Sequence, residues 1–184
     1  TVYGSTVAGS QWNAIKGVSS IRADKHRIRQ LVMDDSRTRE YDDMFDKYTN
    51  LHILDSHTAI RLVQMKGIWP TAPREFLLCS SWLERSDGSL LIFSRSPCDE
   101  TQKQSSGYVR GFIAVSGYLI QPYESFNGKE NERPSTLLPG MCLVTLCAHT
   151  ELGGSLPSSV INSLSTGAPI KILQGISGVV TQRS

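Results

Sequence analysis

A chain of 184 residues with 39% hydrophobic and 20% charged side chains has the size and composition of one globular domain with a sizeable core, which excludes disordered and fibrous proteins. The formal charge of +2 gives no nucleic-acid footprint, because the densest basic patch, Arg22 to Arg29, alternates with apolar residues as a helix face does. No apolar run approaches the ~20 residues of a membrane span, and the opening TVYGSTVAGS lacks the basic and apolar regions of a signal peptide. The expectation is a single soluble domain over residues 1–184, cut from a longer polypeptide.

From Thr1 to Ile21 the chain is rich in Val, Tyr, Thr, Ile and Gly, which predicts two short strands meeting near Ser10 to Asn13. Asp24 then caps a predicted helix whose apolar positions Ile28, Leu31 and Val32 recur at spacings of three and four, and which ends near Met33 to Asp35. A second, shorter helical turn is predicted over residues 36–45, with Tyr41, Met44 and Phe45 on one side. Strand patterns follow at 51–54, 58–65, 75–83, 89–93, 108–121 and 141–150. Between the second and third of these, IWPTAPREF holds Trp69 in a loop that Pro70 and Pro73 keep out of regular structure; the indole is either pinned to the core or offered to something outside.

Ser86-Asp87-Gly88 is a hairpin turn, since Asp-Gly supplies the positive φ angles such turns require. Consecutive strands with short polar connections predict an antiparallel sheet, and 97–107 and 124–139 read as its longer solvated loops. After Gly153-Gly154 a terminal helix is predicted, with Pro157 in its first turn. Its apolar stripe, Val160, Ile161, Leu164, Ile172, Leu173 and Ile176, is interrupted at Gly167-Ala168-Pro169. A strongly curved antiparallel sheet with a long, kinked terminal helix laid across it is an α+β architecture.

Catalytic and metal chemistry find little support in the residue pattern. His52 and His57 are five apart in strand-like text, which turns them to opposite faces. Of Cys79, Cys98, Cys142 and Cys147, three sit in apolar strand-like runs and read as reduced, buried thiols, which favours a reducing, cytoplasmic setting. The sequence has no G-x-S-x-G elbow, phosphate loop or dinucleotide fingerprint, and Ser80-Ser81 has no evident base. Asp42-Asp43 reads as a carboxylate pair or, more simply, a solvated helix end. A container without cofactor is expected, not an enzyme.

Four segments in order, W-P-x-x-x-R-E-F (69–76), Tyr108-Val109-Arg110-Gly111, Gly117-Tyr118-Leu119-Ile120-Gln121-Pro122, and Glu151-Leu152-Gly153-Gly154-Ser155-Leu156-Pro157 with Asn162, resemble the START domain. This is the steroidogenic-acute-regulatory-protein-related lipid-transfer module. The resemblance runs from about Gln11 to Val180 and implies a helix-grip fold, in which curved sheet and terminal helix enclose a hydrophobic tunnel for one lipid. It implies a monomer whose partners are that lipid and, transiently, a membrane surface. The setting implied is the cytoplasm with peripheral membrane association, and the alternative role is a lipid-sensing module without net transfer.

The resemblance also nominates residues. Trp69 falls where the family's ceramide-transfer member has a membrane-contacting loop tryptophan. Arg61 and Ser80 stand where sterol-binding members have a glutamate and an arginine, so that pair is not kept. Val32, Thr38 and Asp42 stand at the head-group positions of the phosphatidylcholine carrier, and Asp42, Val63, Ala114 and Ala168 at the polar positions of the ceramide carrier. The lost pair makes sterol less favoured, only Asp42 matches in character at the phospholipid and ceramide positions, and which lipid is bound, phospholipid, sterol or ceramide, stays open. Phe76, Leu78, Ser80 and Trp82 are the inward set of their strand, and Ile161, Leu164, Ile172 and Leu173 face the cavity from the helix. Asp42 is expected to accept from a ligand hydroxyl or amide. Arg61, if inward, needs a ligand, a water or a nearby carboxylate as partner; with its strand turned the other way it is solvated.

Overall fold

The computed structural model describes residues 1–67, 69, 71–98, 102–125, 136–154, 156 and 158–182, without the side chains of 124–125, 136–139 and 158–166. Strands β1 (Val2–Ser5) and β2 (Ala14–Ile21) pair antiparallel. Helix α1 (Lys25–Met33) starts at Asp24, whose carboxylate accepts from the His26 backbone N–H at 2.8 Å and so satisfies one of the free donors of the first turn. A 3-10 helix, Asp35–Glu40, follows directly. The remaining elements are β3 (Phe45–Ile53), β4 (Thr58–Met65), β5 (Arg74–Glu84), β6 (Leu90–Arg95), β7 (Val109–Arg110), β8 (Phe112–Ser125), β9 (Thr136–Glu151) and α2 (Ser158–Thr181).

The strands form one curved sheet in the order β1-β2-β9-β8-β6-β5-β4-β3, antiparallel throughout except that β7 lies parallel to β5. The β5–β6 turn closes with the Arg85 N–H donating to the Ser89 carbonyl at 2.8 Å, and Gly88 holds φ at 78°. Helix α2 lies across β1, β2 and β9 and meets α1 and the 3-10 helix. With the sheet it forms the helix-grip arrangement.

Along each long strand the inward side chains divide between packed core and open space. Leu90 and Ile92 of β6, Ile120 of β8, Val144 of β9 and Ile21 of β2 pack against Ile28 and Leu31 of α1 and Leu173, Ile176 and Val180 of α2. Toward the other end of the same strands, Ile113, Ser116 and Tyr118 of β8 and Ala148 and Thr150 of β9 face a cavity. The core thus anchors one end of α2 and leaves the rest to roof a void.

The helical turn stops at Glu40 and Phe45 already begins β3, an edge strand mostly open to solvent, so it shows no apolar alternation to read. The predicted strand at 108–121 is two strands, because the chain leaves β5 at Arg110 and joins β6 and β9 from Phe112. Pairing continues to Ser125 and resumes at Thr136, so both ends of the 124–139 segment are hairpin, with 126–135 outside the described residues. Residues 99–101 of the other predicted loop, and Ser155 and Pro157, also lie outside them. Helix α2 runs through Gly167-Ala168-Pro169 with Pro169 fully buried; packing of its flanking turns on the sheet holds it across the missing ladder bond. Only Cys142 is a buried thiol, donating to the Ala23 carbonyl at 3.2 Å; Cys79 is half-buried and Cys147 exposed, on the opposite face of its strand from Leu146.

The approach of α2 to the segment after the 3-10 helix depends on Gly175. A Cβ there would stand 2.4 Å from the Tyr41 carbonyl oxygen, nearer than carbon can sit, while a Cβ at Gly178 meets nothing within 4 Å. Gly175→Ala is expected to cost about 1–3 kcal/mol in urea unfolding. Gly178→Ala is expected to be neutral or to gain up to about 1 kcal/mol, as alanine in a helix does. Equal effects of the two would show that this contact does not constrain α2.

Candidate functional site

Between the concave face of the sheet and α2 lies a cavity of about 500 Å³. Its walls are Trp12 and Ile15, Phe76 and Leu78 of β5, Leu146 and Ala148 of β9, and Ile172 of α2. Exposed Asp43, Lys66, Ala72 and Lys171 mark where it meets solvent. A smaller chamber of about 180 Å³ shares Tyr41, Asp42, Val63, Met65, Leu78, Ser116 and Tyr118 with it, so the two adjoin. The larger part falls within the size range of small-molecule sites.

The smaller chamber concentrates the polar groups. Arg61 of β4 is only 8% exposed, and its Nη1 donates to Asp35 of the 3-10 helix at 2.5 Å. The guanidinium Nε is buried without an acceptor. Burial raises the Asp35 pKa, and the adjacent Arg61 offsets part of that rise. Burial likewise raises the Asp42 pKa, opposed by the Met44 backbone N–H, which donates to its carboxylate at 3.0 Å. The buried phenol of Tyr41 is pushed up to about 12, and burial also pushes that of Tyr118 well above its ordinary value, so both are neutral hydroxyls at physiological pH. The Ser80 and Ser94 hydroxyls meet at 2.7 Å across β5 and β6.

Of the residues nominated from sequence, Val32, Thr38, Asp42, Arg61, Val63, Leu78 and Ser80 line the smaller chamber, and Phe76 and Ala168 the larger. Arg61 points inward, and the partner it requires is a nearby carboxylate. Three residues lie elsewhere. Trp82 is on the inward face of β5 but beyond the cavity, with the Arg29 guanidinium over its ring at 4.0 Å and the His57 ring edge-on to it at 4.4 Å. Ala114 is displaced by a bulge between Ile113 and Val115, which gives the inward positions to Ile113 and Ser116. Leu173 is in the packed core, and its neighbour Ile172 faces the cavity. The side chains of Ile161 and Leu164 lie outside the described residues. Trp69 is 91% exposed, so it does not pack beneath α2. Sequence reasoning missed Asp35, Tyr118, Ser94 and Ser116; Asp35 meets Arg61 from 26 residues away, and no local pattern announces such a contact.

The motifs around Glu75 serve the opposite face of the sheet. Glu75 is fully buried; its carboxylate accepts from Arg110 Nη2 at 2.9 Å, the Ser105 backbone N–H at 2.9 Å and Gln64 Nε2 at 3.2 Å. This network ties β4, β5 and β7 together and leaves Arg74 and Phe76 directed at the cavity. Among the described residues no group of histidine, cysteine and acidic side chains suits a metal ion, and no helix is long and apolar enough to cross a membrane.

The family model described as START domain matches residues 2–176. The chain belongs to the START domain family. Its architecture is that of START proteins: human StAR-related lipid transfer protein 5 superposes with a TM-score of 0.83 at 16% identity, over 99% of this chain and 82% of that one. A STAR-related lipid transfer protein from Xanthomonas axonopodis superposes at 0.78 and 18% identity, over 98% and 93%. In sequence, this START domain is 30% identical over 129 residues to Protein ENHANCED DISEASE RESISTANCE 2-like of Arabidopsis thaliana, covering 68% of the chain but only 18% of the plant protein. An uncharacterised Pseudomonas aeruginosa protein is 24% identical over 99% of the chain and 82% of its own length.

Proposed function

We propose that this START domain holds one lipid molecule in the chamber beneath α2 and carries it between membranes, as a cytoplasmic monomer that visits their surfaces. The observation that carries the reading is the shape of the void, whose apolar wall of Phe76, Leu78, Leu146 and Ile172 runs from an exposed rim to a polar inner end. At about 0.8 kcal/mol per methylene, exposing a chain of roughly sixteen carbons to water costs on the order of 12 kcal/mol, so unassisted transfer between bilayers is very slow. A protein wall that replaces bilayer contacts removes most of that barrier. The family membership and the lipid transfer proteins that superpose on the chain support the same role.

Transfer of a fluorescent lipid from donor to acceptor vesicles tests this directly. The rate is expected to rise in proportion to protein concentration, and a rate equal to that without protein would overturn the carrier role. Trp69, exposed in the Pro-flanked segment near the rim residues Thr71 and Ala72, suits the membrane interface with its amphipathic ring. Trp69→Ala is expected to slow transfer and weaken vesicle association several-fold while leaving the equilibrium affinity for lipid unchanged. Unchanged transfer would remove Trp69 from membrane contact. That the chain spans 18% of the plant relative favours a second reading, a lipid sensor within a longer protein; such a module binds lipid stoichiometrically in the same assay but scarcely moves it.

A further inference from the structure

We infer that the inner chamber reads an uncharged, hydroxyl-bearing lipid head, with the Arg61 guanidinium donating to a ligand oxygen and Asp42 accepting from a ligand hydroxyl. This rests on the lipid-carrier reading and narrows it to a chemical class. A guanidinium carries five N–H donors. Among the described residues, Arg61 Nη1 donates to Asp35 and Nε is buried with no acceptor, in a residue 8% exposed. The pair is therefore neutral in charge but short of acceptors, and a buried donor without an acceptor is costly.

Charge decides which acceptor suits it. The ionisable groups facing the inner chamber, apart from neutral Tyr41 and Tyr118, are one cation, Arg61, and two carboxylates, Asp35 and Asp42. A phosphate or carboxylate head would add a third anion beside largely buried side chains whose one cation, among the described residues, is already paired. An ammonium head would face the Arg61 guanidinium across the same space. An uncharged hydroxyl or carbonyl oxygen satisfies Arg61 without either conflict. The hydroxyls of Thr38, Ser116, Tyr41 and Tyr118 around the same space both donate and accept.

The test presents the protein with five ligands bearing the same oleoyl or oleyl chain: monooleoylglycerol, methyl oleate, oleate, oleoyl lysophosphatidate and oleylamine. An equimolar mixture is offered and the bound fraction is extracted and weighed by mass spectrometry. Monooleoylglycerol is expected to be enriched at least roughly tenfold over each of the others, the loss typical of a missing hydrogen bond to a charged group. Asp42→Leu removes the acceptor assigned to the ligand hydroxyl; that variant is expected to take methyl oleate and monooleoylglycerol about equally. Enrichment of any charged ligand, or of methyl oleate, by the unmodified protein would overturn the inference and leave the carrier reading standing. So would an unchanged preference in an Asp42→Leu variant that melts like the unmodified protein. Capture of none of the five would instead overturn the carrier reading itself. The selectivity of the unmodified protein decides the matter even if the variant does not fold.

Discussion

Replacing Ala148 by phenylalanine is expected to abolish lipid uptake while leaving the protein folded. Ala148 lies on the inward face of β9 between Leu146 and Thr150, and all three line the cavity with Ala168 and Ile172 of α2 opposite. A benzyl group there enters open space, so it displaces no packed neighbour. A guest chain that loses the burial of about four methylenes at ~0.8 kcal/mol each binds roughly a hundredfold more weakly. Four residues earlier on the same face, Val144 is fully buried in the core. The same substitution there forces neighbours off their rotamers and is expected to cost about 1–3 kcal/mol of stability. The contrast separates cavity from core along one strand. If Ala148→Phe lowered stability as much as Val144→Phe, or bound lipid as the unmodified protein does, the described void would not be the binding space.

Glu75→Ala is expected to be the most damaging single change outside the cavity. The fully buried carboxylate is held by Arg110, Ser105 and Gln64, and removing one partner of a buried ion pair costs about 3–5 kcal/mol. For a domain of this size that lowers the melting temperature by roughly 10 °C. The pH dependence has a definite sign. Burial alone would raise the Glu75 pKa, but hydrogen bonds from Ser105 and the Arg110 ion pair together outweigh it and hold the carboxyl below its ordinary 4.5. The unfolded chain therefore takes up the proton first. The stabilisation is complete above about pH 4.5 and is lost as pH falls through the lower folded value. Asp35 and Asp42, raised by burial, have the opposite sign and favour folding as pH falls. The difference between the unmodified protein and Glu75→Gln cancels those two. It is expected to shrink below pH 4.5, and a difference independent of pH down to pH 3 would contradict the network.

Where a residue's role is set within a few positions of chain, the sequence reads true. Asp24 caps α1, Asp87-Gly88 turns the β5–β6 hairpin, and β4 runs over 58–65 as its alternation predicts. Where the role is set by distant elements, local pattern is blind. β3 carries Asp46, Lys47, Asn50 and His52 because it is an edge, so its text resembles a loop or helix end more than a strand. Ala114 and Ile113 exchange places because of a bulge, and a bulge has no signature in the apolar pattern. On α2 the apolar stripe is broad enough to serve both core and cavity, and only packing against Gly17 of β2 assigns Leu173 to the core. The START resemblance placed the wall at Phe76, Leu78 and Ala168. It named Arg61 but not its partner Asp35, which meets it from the 3-10 helix 26 residues earlier in the chain.

The central claim is that the space under α2 is occupied by a single lipid, and native mass spectrometry of the protein after exposure to mixed-lipid vesicles measures that occupancy. The predicted spectrum contains the protein plus the mass of one lipid, with that adduct absent from Ala148→Phe. A spectrum of bare protein alone, or adducts of equal abundance in both proteins, would contradict the account.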